Sequence, residues 1–123
     1  MTKRSLIAVV DDDESVRESL PDLLREFGFS ARAFASAEEF MSSGCVEDAH
    51  CLILDIAMPG MSGPELQQEL LQRKHTVPIV FITALTDHVL RTRLLAQGAV
   101  ECLFKPFSDT ALLGALQAAL RLN

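Results

Sequence analysis

Positive charge is scarce in this chain. Against 17 aspartates and glutamates stand only 11 lysines and arginines, for a net charge of -6 over 123 residues. Binding a phosphate backbone needs clustered cations, so no direct contact with nucleic acid is expected. Long apolar runs are also missing. Lys3 and Arg4 are followed only by Leu6 to Val10 before Asp11, Asp12 and Asp13 intervene, which is neither a signal peptide nor a membrane span. There is no C-x-x-C pair: Cys45, Cys51 and Cys102 are odd in number, and the last two lie in apolar strand-like sequence. They read as reduced packing residues of a cytoplasmic protein. The phosphate-cradling pattern G-x-x-x-x-G-K-[ST] is absent, as are repeats, low-complexity tracts and linkers.

What remains suits one compact domain, residues 1–123, with 49% hydrophobic residues and a full core. Short apolar runs alternate with amphipathic segments. Leu6 to Val10 leads to a helix ending at Phe27, and Ser30 to Phe34 to a helix from about Ala37. Leu52 to Leu54 leads to one from about Pro64, Ile79 to Ile82 to one ending near Gln97, and Leu103-Phe104 to a last helix running toward Leu122. Five such units predict an α/β fold, a parallel sheet covered on both faces, which explains strands that are continuously apolar.

Punctuation supports these elements. Ser36 to Glu39 and Ser62 to Glu65 have the capping-box form, and Gly28 and Gly98 fall just past helix ends. Asp13 is placed to cap the first helix. Val16, Leu20, Leu23, Leu24 and Phe27 form one helical stripe interrupted by Pro21, which predicts a kink because proline cannot bond to the carbonyl of Arg17. Pro59, Gly60 and Gly63 read as turn residues. His50, His75 and His88 lie near element ends without metal-ligand spacing and are expected to face solvent.

Each apolar run of the central elements ends in a polar group of distinct chemistry. Ile7-Ala8-Val9-Val10 meets Asp11-Asp12, Cys51-Leu52-Ile53-Leu54 meets Asp55, Ile79 to Ile82 meets Thr83-Ala84, and Cys102-Leu103-Phe104 meets Lys105-Pro106. This joint pattern resembles the receiver domain of two-component response regulators, and the resemblance covers the whole chain. It implies a flavodoxin-like, doubly wound, five-stranded sheet of order 2-1-3-4-5 with five helices. Ligands of such sheets bind at the carboxyl ends of strands beside the topological switch point, where Asp11, Asp12 and Asp55 would meet.

Three aspartates there repel one another unless they share a cation, and Mg2+ suits them because it takes few carboxylates and keeps places for water and phosphate oxygens. By the resemblance, Asp12 and Asp55 ligate directly, the backbone carbonyl of Ala57 adds an oxygen, and Asp11 acts mostly through water. Asp55 becomes the acceptor of a phosphoryl group from a sensor histidine kinase. Thr83 and the backbone amide of Ala84 donate to phosphoryl oxygens. Lys105, aimed inward by a cis bond to Pro106, supplies a cation.

The implied function is a signalling switch with modest self-phosphorylation and self-dephosphorylation. Its partners are the kinase and an output domain or effector, with a phosphorylation-linked homodimer through the fourth helix, fifth strand and fifth helix. Val89, Leu90, Arg91 and Leu94 lie on that fourth helix, Leu94 being expected in the core. The segments from Ala57 to Gly63 and from Lys105 to Phe107 look like receivers that precede a helix-turn-helix domain, so an excised front portion of a transcription regulator is expected; a stand-alone receiver is the alternative. Two departures stand out. Where receivers carry Tyr or Phe three residues before the lysine, this chain has Cys102, which leaves a phosphorylation-independent module open; Pro21 bears on the helix that in receivers helps to dock the kinase. A phosphatase using an aspartyl nucleophile would want an acid-base carboxylate where Ala57 stands.

Overall fold

The computed structural model describes residues 4–121. The elements follow the order β1 (Leu6–Val10), α1 (Glu14–Glu26), β2 (Ser30–Phe34), α2 (Ala37–Ser42), β3 (Cys51–Asp55), α3 (Gly63–Gln72), β4 (Ile79–Thr83), α4 (His88–Ala96), β5 (Glu101–Phe104) and α5 (Asp109–Arg121). All pairings are parallel and the strand order is 2-1-3-4-5. β1 and β3 pair directly, with Val10 opposite Leu54, so Asp11 and Asp55 leave the sheet at the same edge.

Period-two alternation splits the apolar residues between two cores. Ala8, Val10, Leu52, Leu54 and Phe81 pack with Phe40, Leu66, Leu70 and Leu94 beneath α2, α3 and α4. Ile7, Val9, Ile53, Val80 and Ile82 pack with Leu20, Leu24, Leu112 and Leu116 beneath α1 and α5. Every residue of β3 and β4 is buried, as required of central strands covered on both faces. The three cysteines are buried free thiols. Burial raises the pKa of each, Cys51 to about 12.

The caps position the loops above the sheet. Asp13 caps α1, its side chain accepting from the Ser15 amide. α1 continues through the buried Pro21, ending at Glu26 with Phe27 as its cap. Ser62 and Glu65 form a reciprocal capping box at α3. The box expected at α2 is only half made: Ser36 accepts from the Glu39 amide, but the Glu39 carboxylate accepts from Ala35 rather than from Ser36. Gly28 and Gly98 have positive φ past α1 and α4. α3 ends without a glycine, and Lys74 takes the left-handed conformation at φ 61 instead. α5 is described to Arg121, and Leu122, to which it was expected to extend, lies outside the described residues.

Gly63 meets a packing demand. It opens α3, its amide donates to the Ile56 carbonyl, and an added Cβ would collide with the Asp55 carbonyl oxygen. Gly114, inside α5, faces open space. Gly63→Ala is therefore expected to destabilise the fold by about 1–3 kcal/mol, whereas Gly114→Ala stabilises it by roughly 0.5–1 kcal/mol. Urea midpoints of the two variants against wild type check both signs.

Candidate functional site

Parallel topology places the carboxyl ends of β1, β3, β4 and β5 along one rim, and each contributes one expected group. One oxygen from each of Asp11, Asp12 and Asp55 lies within 4.8 Å of the others. Asp11 and Asp55 are buried, whereas Asp12 is exposed and faces the solvent above them. Thr83 ends β4, almost fully buried. Lys105 directly follows β5 and is joined to Pro106 by a cis bond, as expected.

Lys105 is the positive pole of this cluster. Its Nζ lies 2.9 Å from Asp11 Oδ2 and 3.8 Å from Asp55 Oδ1. The lysine thus binds Asp11 first, a closer pairing than sequence assigned to it. The other Asp11 oxygen accepts from the Asp13 amide at 2.9 Å, and Arg17 donates to the Asp11 backbone carbonyl at 3.0 Å. Asp55 Oδ1 accepts from the Ile56 amide at 3.0 Å.

These contacts leave Asp55 underpaired. Burial, then the charge of Asp11, with Asp12 adding and Lys105 opposing, push its pKa up to about 7. Burial by itself would lower the pKa of Lys105, but its hydrogen bond to Asp11 and the surrounding carboxylates raise it. One ammonium cannot balance three carboxylates. Among the described residues this is the one cluster with the donor set for a hard divalent ion, all oxygen ligands within a common reach.

The remaining groups frame the cluster. The Thr83 hydroxyl accepts from the Leu85 amide at 3.0 Å, and the Lys105 amide donates to the Thr83 carbonyl at 2.7 Å, fastening β5 to β4 beside the site. Ala84 is exposed at the rim, and so is Ala57, two residues past Asp55. Sequence reasoning missed Glu38, an α2 residue whose carboxylate accepts from the Met61 amide at 3.0 Å and holds the loop that follows Asp55. No motif announces such a contact across 23 residues.

His50 and His88 are exposed, as expected, though both make contacts. The Nδ1 of His50 accepts from the Leu6 amide at 2.9 Å. His75 is half-buried, and His88 packs edge-on against Phe104. Leu94 lies in the core as anticipated, and Cys102 is buried in the same cluster.

A 2-1-3-4-5 parallel sheet with three aspartates and a lysine at its switch point defines the class of receiver-like α/β signalling domains. The response regulator receiver domain family matches residues 7–117, and the chain belongs to that family. It is 39% identical over 120 residues to the response regulator protein TodT of Pseudomonas putida, covering 98% of this chain and 53% of TodT. It is likewise 39% identical over 119 residues to the transcriptional regulatory protein TdiR of Thauera aromatica, covering 97% of this chain and 52% of TdiR. Among solved structures, response regulator StyR superposes with a TM-score of 0.89 at 47% identity, over 98% of this chain and 61% of that one. The chain spans about half the length of the curated relatives it matches.

The raised pKa of Asp55 has a measurable consequence for stability. The folded state retains the Asp55 proton up to about pH 7, while the unfolded chain releases it near 3.8. Stability from the protonated form is therefore present below the unfolded value and lost as pH rises through this window. The loss is at most roughly 4 kcal/mol. Without divalent ions, Asp55→Asn should gain on wild type between pH 5 and pH 8. Urea unfolding in a chelator at both pH values measures the gap, and an unchanged gap contradicts the assignment.

Proposed function

We propose that this domain is the phosphoryl-accepting switch of a two-component system, with Asp55 taking its phosphoryl group from the phosphohistidine of a sensor kinase. The observation that carries this reading is the convergence of Asp55 with Asp11, Asp12 and Lys105 at the carboxyl rim. In the transfer, an Asp55 oxygen forms a bond to phosphorus as the phosphorus–nitrogen bond breaks. The imidazole leaves with the electron pair and takes a proton from solvent. Only ionised Asp55 is a nucleophile, so its charge must be tolerated at neutral pH.

Asp11, Asp12, Asp55 and the carbonyl of Ala57 would hold Mg2+, which neutralises charge on the carboxylates and on the phosphoryl oxygens when bound. Lys105 would balance a further phosphoryl oxygen, being 3.8 Å from Asp55 already. A hydroxyl donates and accepts at once, so Thr83 can donate to the phosphoryl group while it still accepts from Leu85. The amide of Ala84 is the second donor. Positioning and charge stabilisation account for the chemistry, as expected for phosphoryl transfer.

The surroundings suit partners on two sides. An apolar groove of about 360 Å³, lined by Val16, Leu20, Leu23, Ile82, Pro106 and Phe107, runs past Lys105 and fits an apolar helix face of the kinase. On the other side Leu85 and Val89 are 53% and 72% exposed. With Arg91 and Glu101 they offer a mixed surface on α4 and β5, within the α4, β5 and α5 face proposed for a phosphorylation-linked homodimer. Relatives about twice as long, among them the transcriptional regulator TdiR, suggest a DNA-binding output attached to the receiver.

Incubation with acetyl phosphate and Mg2+ should add one phosphoryl mass, located on the peptide containing Asp55. Asp55→Asn should abolish it. Asp12→Asn should weaken the Mg2+ dependence far more than Asp13→Asn, whose carboxylate is occupied in capping α1. Retention of the mass increase in Asp55→Asn contradicts the acceptor assignment, and equal metal dependence in the other two variants contradicts the ligand set.

A further inference from the structure

Gln67 breaks the pattern of its own helix. The buried face of α3 consists of Gly63, Leu66, Gln67 and Leu70, the spacing of one helical stripe, and the glutamine is the single polar side chain in it. Gln67 is 3% exposed, and its Oε1 is buried with no hydrogen-bond partner among the described residues. Buried amides are nearly always paired, because an unpaired one gives up its bonds to water without return. The phosphoryl chemistry has no use for this one, which lies far down the helix from the rim.

The same residue lines a cavity of about 220 Å³ between the ends of α3 and α4. Its apolar walls are Leu70, Leu71, Val77, Ile79 and Val100. Ile79 opens β4 and Val100 directly precedes β5, so the cavity lies at the amino ends of these strands, opposite the carboxylate rim. Backbone bonds hold the walls in place. The His75 amide donates to the Leu70 carbonyl at 2.9 Å, the Leu52 amide to Pro78 at 2.9 Å and the Val100 amide to Ile79 at 2.8 Å. Lys74, with φ 61, turns the chain from the helix into that wall. The cavity is therefore built into the fold, and Leu71, 48% exposed, marks where it meets solvent.

Space, charge and the orphaned acceptor define what fits. A cavity of about 150 Å³ already holds a benzene ring, so this one takes a single ring with a substituent. Apart from His75, no ionisable side chain lines it, so an ionised ligand would lose its hydration there without a countercharge. The unpaired Oε1 calls for a donor, and a hydroxyl, which both donates and accepts, satisfies the amide in either rotation of its end group. We propose that this cavity is a second binding site, separate from the Asp55 cluster, for a small uncharged molecule that carries a hydroxyl on an apolar ring. Gln67 bonds the hydroxyl while the leucine, isoleucine and valine side chains enclose the ring, the division of labour usual in small-molecule sites.

The test titrates the chain with phenol, with toluene as its isostere lacking the hydroxyl, and with the benzoate anion, following amide resonances by NMR. Phenol should shift the backbone amides of Leu71, Val77 and Val100 and the side-chain amide of Gln67, and benzoate should not. Gln67→Met keeps the length of the side chain and removes both polar atoms. Toluene should still shift the same backbone amides in this variant, but the ratio of phenol to toluene affinity should fall about 2- to 10-fold, the range that loss of one hydrogen bond allows. Gln72→Met, at an exposed position of α3, should leave the ratio unchanged. If phenol leaves the cavity amides of wild type unmoved, the cavity is merely hydrated and the proposal is overturned. An equal ratio in Gln67→Met and wild type overturns the role of Gln67 and the hydroxyl-bearing ligand class with it. Neither result touches the reading of Asp55, which rests on its own mass measurement.

Discussion

Crowding of like charge at the carboxyl rim is the constraint on which the rest depends. β1 and β3 are neighbours at the point where the strand order reverses; Asp11 directly follows β1 and Asp55 ends β3. Neither strand can retreat, since Ile7 to Val10 and all of β3 are buried and held in register by the ladders. The repulsion must be met locally, and Lys105 meets part of it by bonding to Asp11 at 2.9 Å. The remainder is expressed in Asp55, whose proton is held to about pH 7. Such a cluster of carboxylates at a rigid rim has the charge and the oxygen ligands that suit a divalent cation.

Two apolar cores hold the rim in place, and the loops above it are fixed by polar contacts. Asp13 caps α1 directly after the acidic pair, and the capping box of Ser62 and Glu65 closes the loop that follows Asp55. Glu38 secures that loop from α2. Gly63 approaches the Asp55 carbonyl so closely that a side chain has no room. The site is thus preorganised from both sides of β3, whereas Ala84 and Leu85, which follow Thr83, are exposed.

Much of this was legible in the chain. Apolar runs closed by Asp11, Asp55, Thr83 and Lys105 located four strand ends, because a parallel sheet covered on both faces has apolar strands and admits polar groups only where they end. The Ser62 box and the Asp13 cap obeyed local rules that need nothing beyond three or four residues. Contacts set by the tertiary fold were hidden. Glu39 had two amides in reach and took Ala35, and Lys74 adopted positive φ where glycine was the usual signal. The Glu38 contact with Met61 and the preference of Lys105 for Asp11 arise from elements far apart in sequence. His88 is solvent-exposed as read, but its ring contact with Phe104 was hidden because that partner lies 16 positions away on another element.

The central claim is that Asp55 sits in a carboxylate cluster that one lysine leaves unbalanced. Isotope labelling of the aspartate carboxyl carbons, with Asp55→Asn for assignment, allows its titration to be followed directly by NMR. Without divalent ions the Asp55 resonance should titrate near pH 7, and saturating Mg2+ should move that midpoint well below it. A midpoint near the ordinary aspartate value of 3.8 in metal-free protein, or one indifferent to Mg2+, would contradict the account.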